Sequence, residues 1–168
     1  MEPIREHSSL VAAEYKFIDL SDSESDDDMI GVTGNSGIVV QGDNHVYIRC
    51  VDEIALVQLR LRFMSGRSHG ALPGWQYAGQ GKLMILSGTL TVYQWGPNDP
   101  PEWKAPFTGE ASITVSHRGR DKIIELMSQV ESRARSQKLS AREKSALIHE
   151  LDGTEQYLIE ISPAVGEK

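Results

Sequence analysis

The stretch "IALVQLRLRF", residues 54–63, alternates with a period of two: Leu59, Leu61 and Phe63 share one face, and Gln58, Arg60 and Arg62 share the other. Successive side chains of a strand point to opposite faces, so the pattern marks a strand with one buried and one wet side. Such half-buried strands belong to antiparallel sheets. The same signal recurs on both sides of it. "GIVVQGDNHVYIRC" (37–50) is two β-rich runs about Gly42-Asp43-Asn44, a hairpin turn signal. "KLMILSGTLTVYQWG" (82–96) has Ser87-Gly88 in its middle, the place of a turn or bulge. "ASITVSH" (111–117) sets Ile113 and Val115 on one face. "PNDPPEWKAP" (97–106), with four of the seven prolines, reads as loop. Residues 31–117 are therefore expected to form an antiparallel β sandwich or open barrel of about six strands.

Residues 118–168 change period. In "RDKIIELMSQVESRARSQ" (120–137), Ile123, Met127, Val130 and Ala134 recur at helical spacing, a stripe expected to pack on the domain's own sheet. Its second half is polar on nearly every face. Ser140 and Glu143 make a capping-box pattern ahead of a second helix, which Asp152-Gly153 stops. "QYLIEIS" (156–162) reads as a last strand, ended by Pro163. The expected class is α+β: an antiparallel core, then two helices and a final strand.

The 168 residues are enough for one domain with a real core. The net charge of −7 is localised: residues 1–30 hold nine acids and two bases, and residues 31–168 hold fifteen of each. Nothing apolar offsets the ordering entropy of Asp22 to Asp28, so residues 1–30 are expected to be an acidic, mostly disordered arm. Cys50 is the only cysteine, which excludes an intrachain disulfide and points to an intracellular setting. No run approaches the roughly 20 apolar residues that span a bilayer, and no membrane partner is expected.

Within the arm, "FIDLSDSESDDD" (17–28) resembles a SUMO-interacting motif: an aliphatic-rich core of Phe17, Ile18, Asp19 and Leu20, flanked by serines and acids. The resemblance implies a protein partner gripped by strand addition, its basic surface meeting the carboxylates. Ser21, Ser23 and Ser25 each have an acid three residues on, which resembles the pattern used by casein-kinase-2-type kinases and implies phosphorylation. Two other readings stand beside this one. The run solvates a tail, or "YKFIDL" is an edge strand of the protein's own sheet with acids guarding its end.

Chemistry is sparse elsewhere. His7, His45, His69, His117 and His149 show no metal-ligand spacing, and no phosphate-cradling loop or nucleophile elbow is present, so no catalytic residue, metal or cofactor is expected. "KLMILSGTLTVYQWG" resembles the strand–turn–strand of cupin barrels but lacks the preceding His and Glu ligands, which leaves a metal-free barrel with a small ligand as one alternative. Arg60, Arg62, Arg67, Arg118 and Arg120, with Trp75, Tyr77 and Trp103 in loops, make a nucleic-acid-associated assembly factor, binding its polyanion weakly, another. An exposed edge at Leu59 to Phe63 would favour a homodimer. The leading reading is a non-enzymatic interaction or assembly accessory protein, of a size that suits a regulatory or viral one.

Overall fold

The alternation read from the sequence builds two sheets whose apolar faces meet. The computed structural model describes residues 3–26, 37–66, 72–93 and 99–164. Its elements are β1 (Arg5–Val11), β2 (Phe17–Asp22), β3 (Val39–Gln41), β4 (His45–Arg49), β5 (Val57–Phe63), β6 (Gln76–Ile85), β7 (Thr89–Tyr93), β8 (Glu102–Lys104), β9 (Gly109–Arg118), α1 (Arg120–Gln137), α2 (Ala141–His149) and β10 (Gln156–Pro163). One sheet has the order β1-β5-β10-β9-β6 and the other β3-β4-β2-β7-β8. Every described pairing is antiparallel except β5 with β10. The α+β expectation holds: among the described residues, 31–117 carry seven strands, β3 to β9, where about six were expected, and β1, β2 and the last strand β10 bring the total to ten. Leu59, Leu61 and Phe63 face inward and are buried, as their alternation requires.

The largest difference lies at the N-terminus. Residues expected to be a disordered arm instead supply β1 and β2, and the run from Asp27 to Ile30 lies outside the described residues. β2 is the middle strand of its sheet, paired with β4 on one side and β7 on the other. Ile18 and Leu20 are 0% exposed in the core that both sheets share. Strand addition by a partner needs a free edge, and β2 has none. The SUMO-motif reading of Phe17 to Leu20 is corrected on that ground. The edge-strand reading was right about strand and wrong about edge.

Two further corrections concern loops and edges. Trp103 lies in β8 and is buried, so "PNDPPEWKAP" is not all loop, and Tyr77 lies in β6. β5 runs between β1 and β10, so Leu59 to Phe63 offers no edge for a dimer.

The helices are an insertion at one end of the sandwich. β9 and β10 are antiparallel neighbours whose ends meet, Arg118 opposite Gln156, and the chain between them leaves and returns at one point. There Gly119 adopts φ 80°, and a Cβ on it would stand 2.0 Å from the Thr154 carbonyl oxygen. The left-handed φ and the contact with rigid backbone both require glycine. Because α1 departs at this end, its apolar stripe does not lie on a sheet. Ile123 and Val130 pack with Ile148, Ala55 and the partly buried Val51, Met127, Leu147 and Leu151. The capping box of α2 forms as read, with Ser140 accepting from the Glu143 N–H and Glu143 accepting from that of Ser140.

On the other side, β6 closes against β3 and β4 through side chains. Gln41 accepts from the Lys82 N–H at 2.7 Å and donates to the Lys82 carbonyl at 3.0 Å. Asn44 does the same to Met84, at 2.6 and 3.2 Å. Alternate residues of this edge strand are thus satisfied by amides that mimic a neighbouring strand, which removes a free template for pairing. Gly81 permits the approach, since a Cβ there would come within 2.8 Å of Gln41 Oε1 and 2.9 Å of Val46 Cγ2.

Candidate partner-binding face

A groove of about 760 Å³ opens on the outer face of the β6-bearing sheet. Gln80 and Lys82 of β6, Ser112 and Thr114 of β9 and Ser162 of β10 line it, with Gln41 at the junction of the two sheets. The lining alternates with the core: Ser112 and Thr114 lie between the buried Ala111, Ile113 and Val115, so the strand period that fills the interior also builds a polar outer wall. Lys82 and Glu110 pair at 3.0 Å on the same face. Hydroxyls, amides and one ion pair suit hydrogen bonding to a polar surface.

The β3–β4 turn next to Gln41 carries an acidic rim. Asp43 is exposed in that turn, and Glu24 and Asp26 are exposed in the segment after β2. Specific bonds hold this segment. Asn44 donates to Ser25 Oγ at 2.8 Å. The His45 ring lies 2.7 Å from the Asp19 carboxylate at Nδ1 and 2.8 Å from the Asp26 carbonyl at Nε2. Both neighbours are acceptors, so the imidazolium form satisfies both. Asp22 is 1% exposed. Its carboxylate accepts from the N–H of Glu24 (3.0 Å), Leu86 (2.9 Å) and Ser87 (3.1 Å) and from the Ser87 hydroxyl (2.9 Å). The first acids of the run are therefore anchors, and those after them are displayed on fixed backbone.

The residues singled out in the sequence scatter. Phe17 is half-buried with the Arg49 guanidinium 5.2 Å from its ring centroid. Asp19 is buried against His45. Ser21 is buried, Ser23 is exposed with its hydroxyl 3.0 Å from that of Ser87, and Ser25 is bound by Asn44. Arg60 and Arg62 share the outer sheet face, where Arg62 is paired with Glu6 at 2.8 Å. Arg118 donates to Gln156 at 2.8 Å and stacks 4.5 Å from the centroid of the Trp75 ring. Arg67 and His69 lie outside the described residues. The cupin-like hairpin turns Leu83, Ile85, Leu90 and Val92 into the shared core, so packed side chains fill the interior there.

Arg120 points inward. Its Nη1 donates to the Arg49 carbonyl at 2.6 Å and to Glu155 at 2.9 Å, and also contacts the Tyr157 hydroxyl. Tyr157 donates to Glu155 Oε1 at 2.6 Å, and the Val51 N–H reaches both Glu155 oxygens at 3.1 Å. This buried network, which sequence reasoning missed, ties the strand after the helices to the loop after β4. Cys50 is buried beside it, and burial pushes its thiol pKa well up. Burial also raises the Glu155 pKa above its ordinary 4.5, against the lowering effect of the Tyr157, Val51 and Arg120 contacts. The folded protein then holds a proton that the unfolded chain has released, so this group's contribution is full below about pH 4.5 and is lost as pH rises through the raised value. Glu155→Gln removes that titration. In thermal melts from about pH 4 to pH 7 the variant is expected to gain on the wild type as pH rises. A constant difference would contradict the assignment.

Among the described residues no group of three or more His, Cys, Asp or Glu is placed to hold a metal ion, and no helix is long and apolar enough to cross a membrane. The class these features define is a two-sheet β sandwich with a helical hairpin inserted before its last strand, presenting a polar groove and an acidic rim. Two solved structures are similar to this chain in fold along nearly their whole length. One is ComJ from Bacillus subtilis, described as an inhibitor of the DNA-degrading activity of NucA, with TM-score 0.57, 9% identity and coverage of 97% of this chain and 98% of that one. The other is described as crocagin biosynthetic gene J, with TM-score 0.55, 13% identity and coverage of 96% and 98%. At these identities the likeness is one of fold. No family model and no curated protein matches the chain.

Proposed function

We propose that this chain is a non-enzymatic accessory protein that docks on a basic partner protein through the acidic rim of Glu24, Asp26 and Asp43 and the groove beside it. The observation that carries the reading is the fixed presentation of these acids: bonds from Asn44 and His45, and the Asp22 anchor, hold the segment that bears Glu24 and Asp26 against the β3–β4 turn that bears Asp43. Charges held in place raise association rates and select partners of opposite sign without the cost of ordering a loose tail. The inhibitor ComJ, alike in fold over nearly its whole length, suggests the kind of partner. A protein that handles DNA presents a cationic surface to its substrate, and a preformed acidic rim complements such a surface. A phosphate on Ser23, the exposed member of the kinase-like pattern, would add about −1.5 to −2 charges to the same rim.

The test is affinity capture from the source cells, followed by binding of the purified pair. The triple variant Glu24→Lys, Asp26→Lys, Asp43→Lys is expected to lower affinity at least about tenfold and to flatten the dependence on salt, through slower association. A captured partner that binds wild type and variant equally, or no stoichiometric partner at all, would sink the proposal.

A further inference from the structure

The strand at each edge of a sheet offers its unpaired N–H and C=O groups to any extended chain. Among the described residues, three of the four edges of this sandwich are blunted. On β6 the Lys82 and Met84 backbone groups are taken by the Gln41 and Asn44 amides. β3 and β8 are three residues long. The last carbonyl of β8, on Lys104, also accepts from the Arg5 guanidinium at 2.7 Å. The fourth edge is β1. It runs seven residues without a proline, and its pairing with β5 holds one register from Arg5–Phe63 to Val11–Val57. Among the described residues β5 is its only strand neighbour.

The backbone groups that β1 leaves free follow from the ladder. Along a strand, successive residues turn their N–H and C=O to opposite sides. The Gln58 N–H bonds the Glu155 carbonyl on the β10 side. Gln58, Arg60 and Arg62 therefore turn to β10, while Val57, Leu59, Leu61 and Phe63 turn to β1 and meet Val11, Ser9, His7 and Arg5. The groups of Glu6, Ser8 and Leu10 face away from the sheet, and all three residues are exposed. Neither charge of the strand guards this edge. Arg5 reaches across to β8, and Glu6 is paired with Arg62 at 2.8 Å. Apolar side chains border it instead: Ile4, Leu10 and Tyr15 are 55%, 49% and 74% exposed.

We propose that β1 pairs with β1 of a second copy of this chain, antiparallel about a two-fold axis through Ser8. The three outward residues are symmetric about Ser8. The axis sets Glu6 opposite Leu10 of the second copy, and Ser8 opposite Ser8. Each of these pairs exchanges two N–H···O bonds, so every outward group finds a partner. No like charges meet, since Arg5 comes opposite Val11 and Glu6 opposite Leu10. Leu10 packs along the stem of the opposing Glu6 and loses its exposure. The edge carries one charge of each sign, which suits a copy of itself rather than a basic protein. One patch serves both copies, so assembly closes at the dimer. The two five-stranded sheets then run on as a single sheet. β1 and β6 lie at opposite edges of their sheet, so the dimer leaves the groove beside β6 open.

The experiment is sedimentation velocity of the full chain from about 5 to 500 µM, the range in which an interface below the standard size dissociates. A reversible monomer–dimer equilibrium is expected, with no larger species. Amide hydrogen exchange at the two ends of that range reads the strand itself. The Glu6, Ser8 and Leu10 amides are expected to be slow only at the high concentration, and those of His7 and Ser9 at both. Ser8→Pro removes an N–H that no bond within the fold uses. It is expected to raise the dissociation constant at least about tenfold, for the loss of both Ser8–Ser8 bonds. Leu10→Glu sets a like charge opposite Glu6 and is expected to weaken the dimer several-fold more than Leu10→Lys, at the same exposed position. That difference reads the register even where Ser8→Pro does not fold. A monomer at every concentration, a folded Ser8→Pro that dimerises as the wild type does, or equal effects of the two Leu10 variants would overturn the pairing. Protection of the three amides that appears only on adding a different protein would give the edge to a foreign strand and overturn it as well.

Discussion

A fragment of residues 31–168 is expected not to fold. Its circular dichroism should lack a cooperative melt, and its amide spectrum should collapse toward random-coil shifts. Deleting residues 1–30 removes β1 from the end of one sheet and β2 from the middle of the other. Val11, Ile18 and Leu20 leave the core with them, all at most 1% exposed. Burial of each such side chain is worth about 1.5–3 kcal/mol. Their sum approaches the roughly 5–15 kcal/mol by which a domain is stable at all. The deletion also strips β4 and β7 of their shared neighbour and leaves two rows of backbone groups without partners. A free arm would behave in the opposite way: its removal would leave the melting temperature almost unchanged. A dispersed spectrum from the fragment would refute the central position of β2.

Asp22→Ala is expected to destabilise the protein by about 3 kcal/mol, the second largest effect. The carboxylate accepts from the Glu24 N–H just after β2 and from two backbone N–H groups and one hydroxyl in the turn that joins β6 to β7. Truncation leaves the Leu86 and Ser87 N–H groups part-buried with no acceptor, at about 1–3 kcal/mol each. Asp22→Asn keeps one acceptor oxygen and should lose roughly half as much. Urea unfolding of the three proteins measures the series. The variant also frees the segment that displays Glu24 and Asp26, so it should weaken partner binding even at temperatures where the fold survives. A loss below about 0.5 kcal/mol would mean that the turn does not depend on Asp22.

What was legible in the sequence follows from signals carried by neighbours in the chain. The alternation of β5, the turn between β3 and β4, the helical period of 120–137 and the Ser140–Glu143 box are local patterns, and each formed where read. β1 was missed, and β2 stood only as one of several readings of its stretch, because their evidence is not local. "REHSSLV" has no apolar alternation, and half of "FIDLSD" is polar. The turn joining them uses Tyr15 and Lys16 at φ 46° and 66°, conformations normally signalled by Gly or Asn. A count of acids treats Asp19 and Asp22 as solvated, because their partners His45 and Ser87 stand 26 and 65 residues away. The Glu155–Tyr157–Arg120 network was hidden in the same way, as three polar residues from different elements.

The sequence by itself determined the secondary-structure class and the presence of a localised negative charge, since periodicity and composition are properties of the chain. Only the tertiary structure decided whether that charge hangs loose or stands fixed. Burying a carboxylate is unfavourable until a donor from a distant strand arrives to bond it, and which donors arrive is settled by the packing of the two sheets.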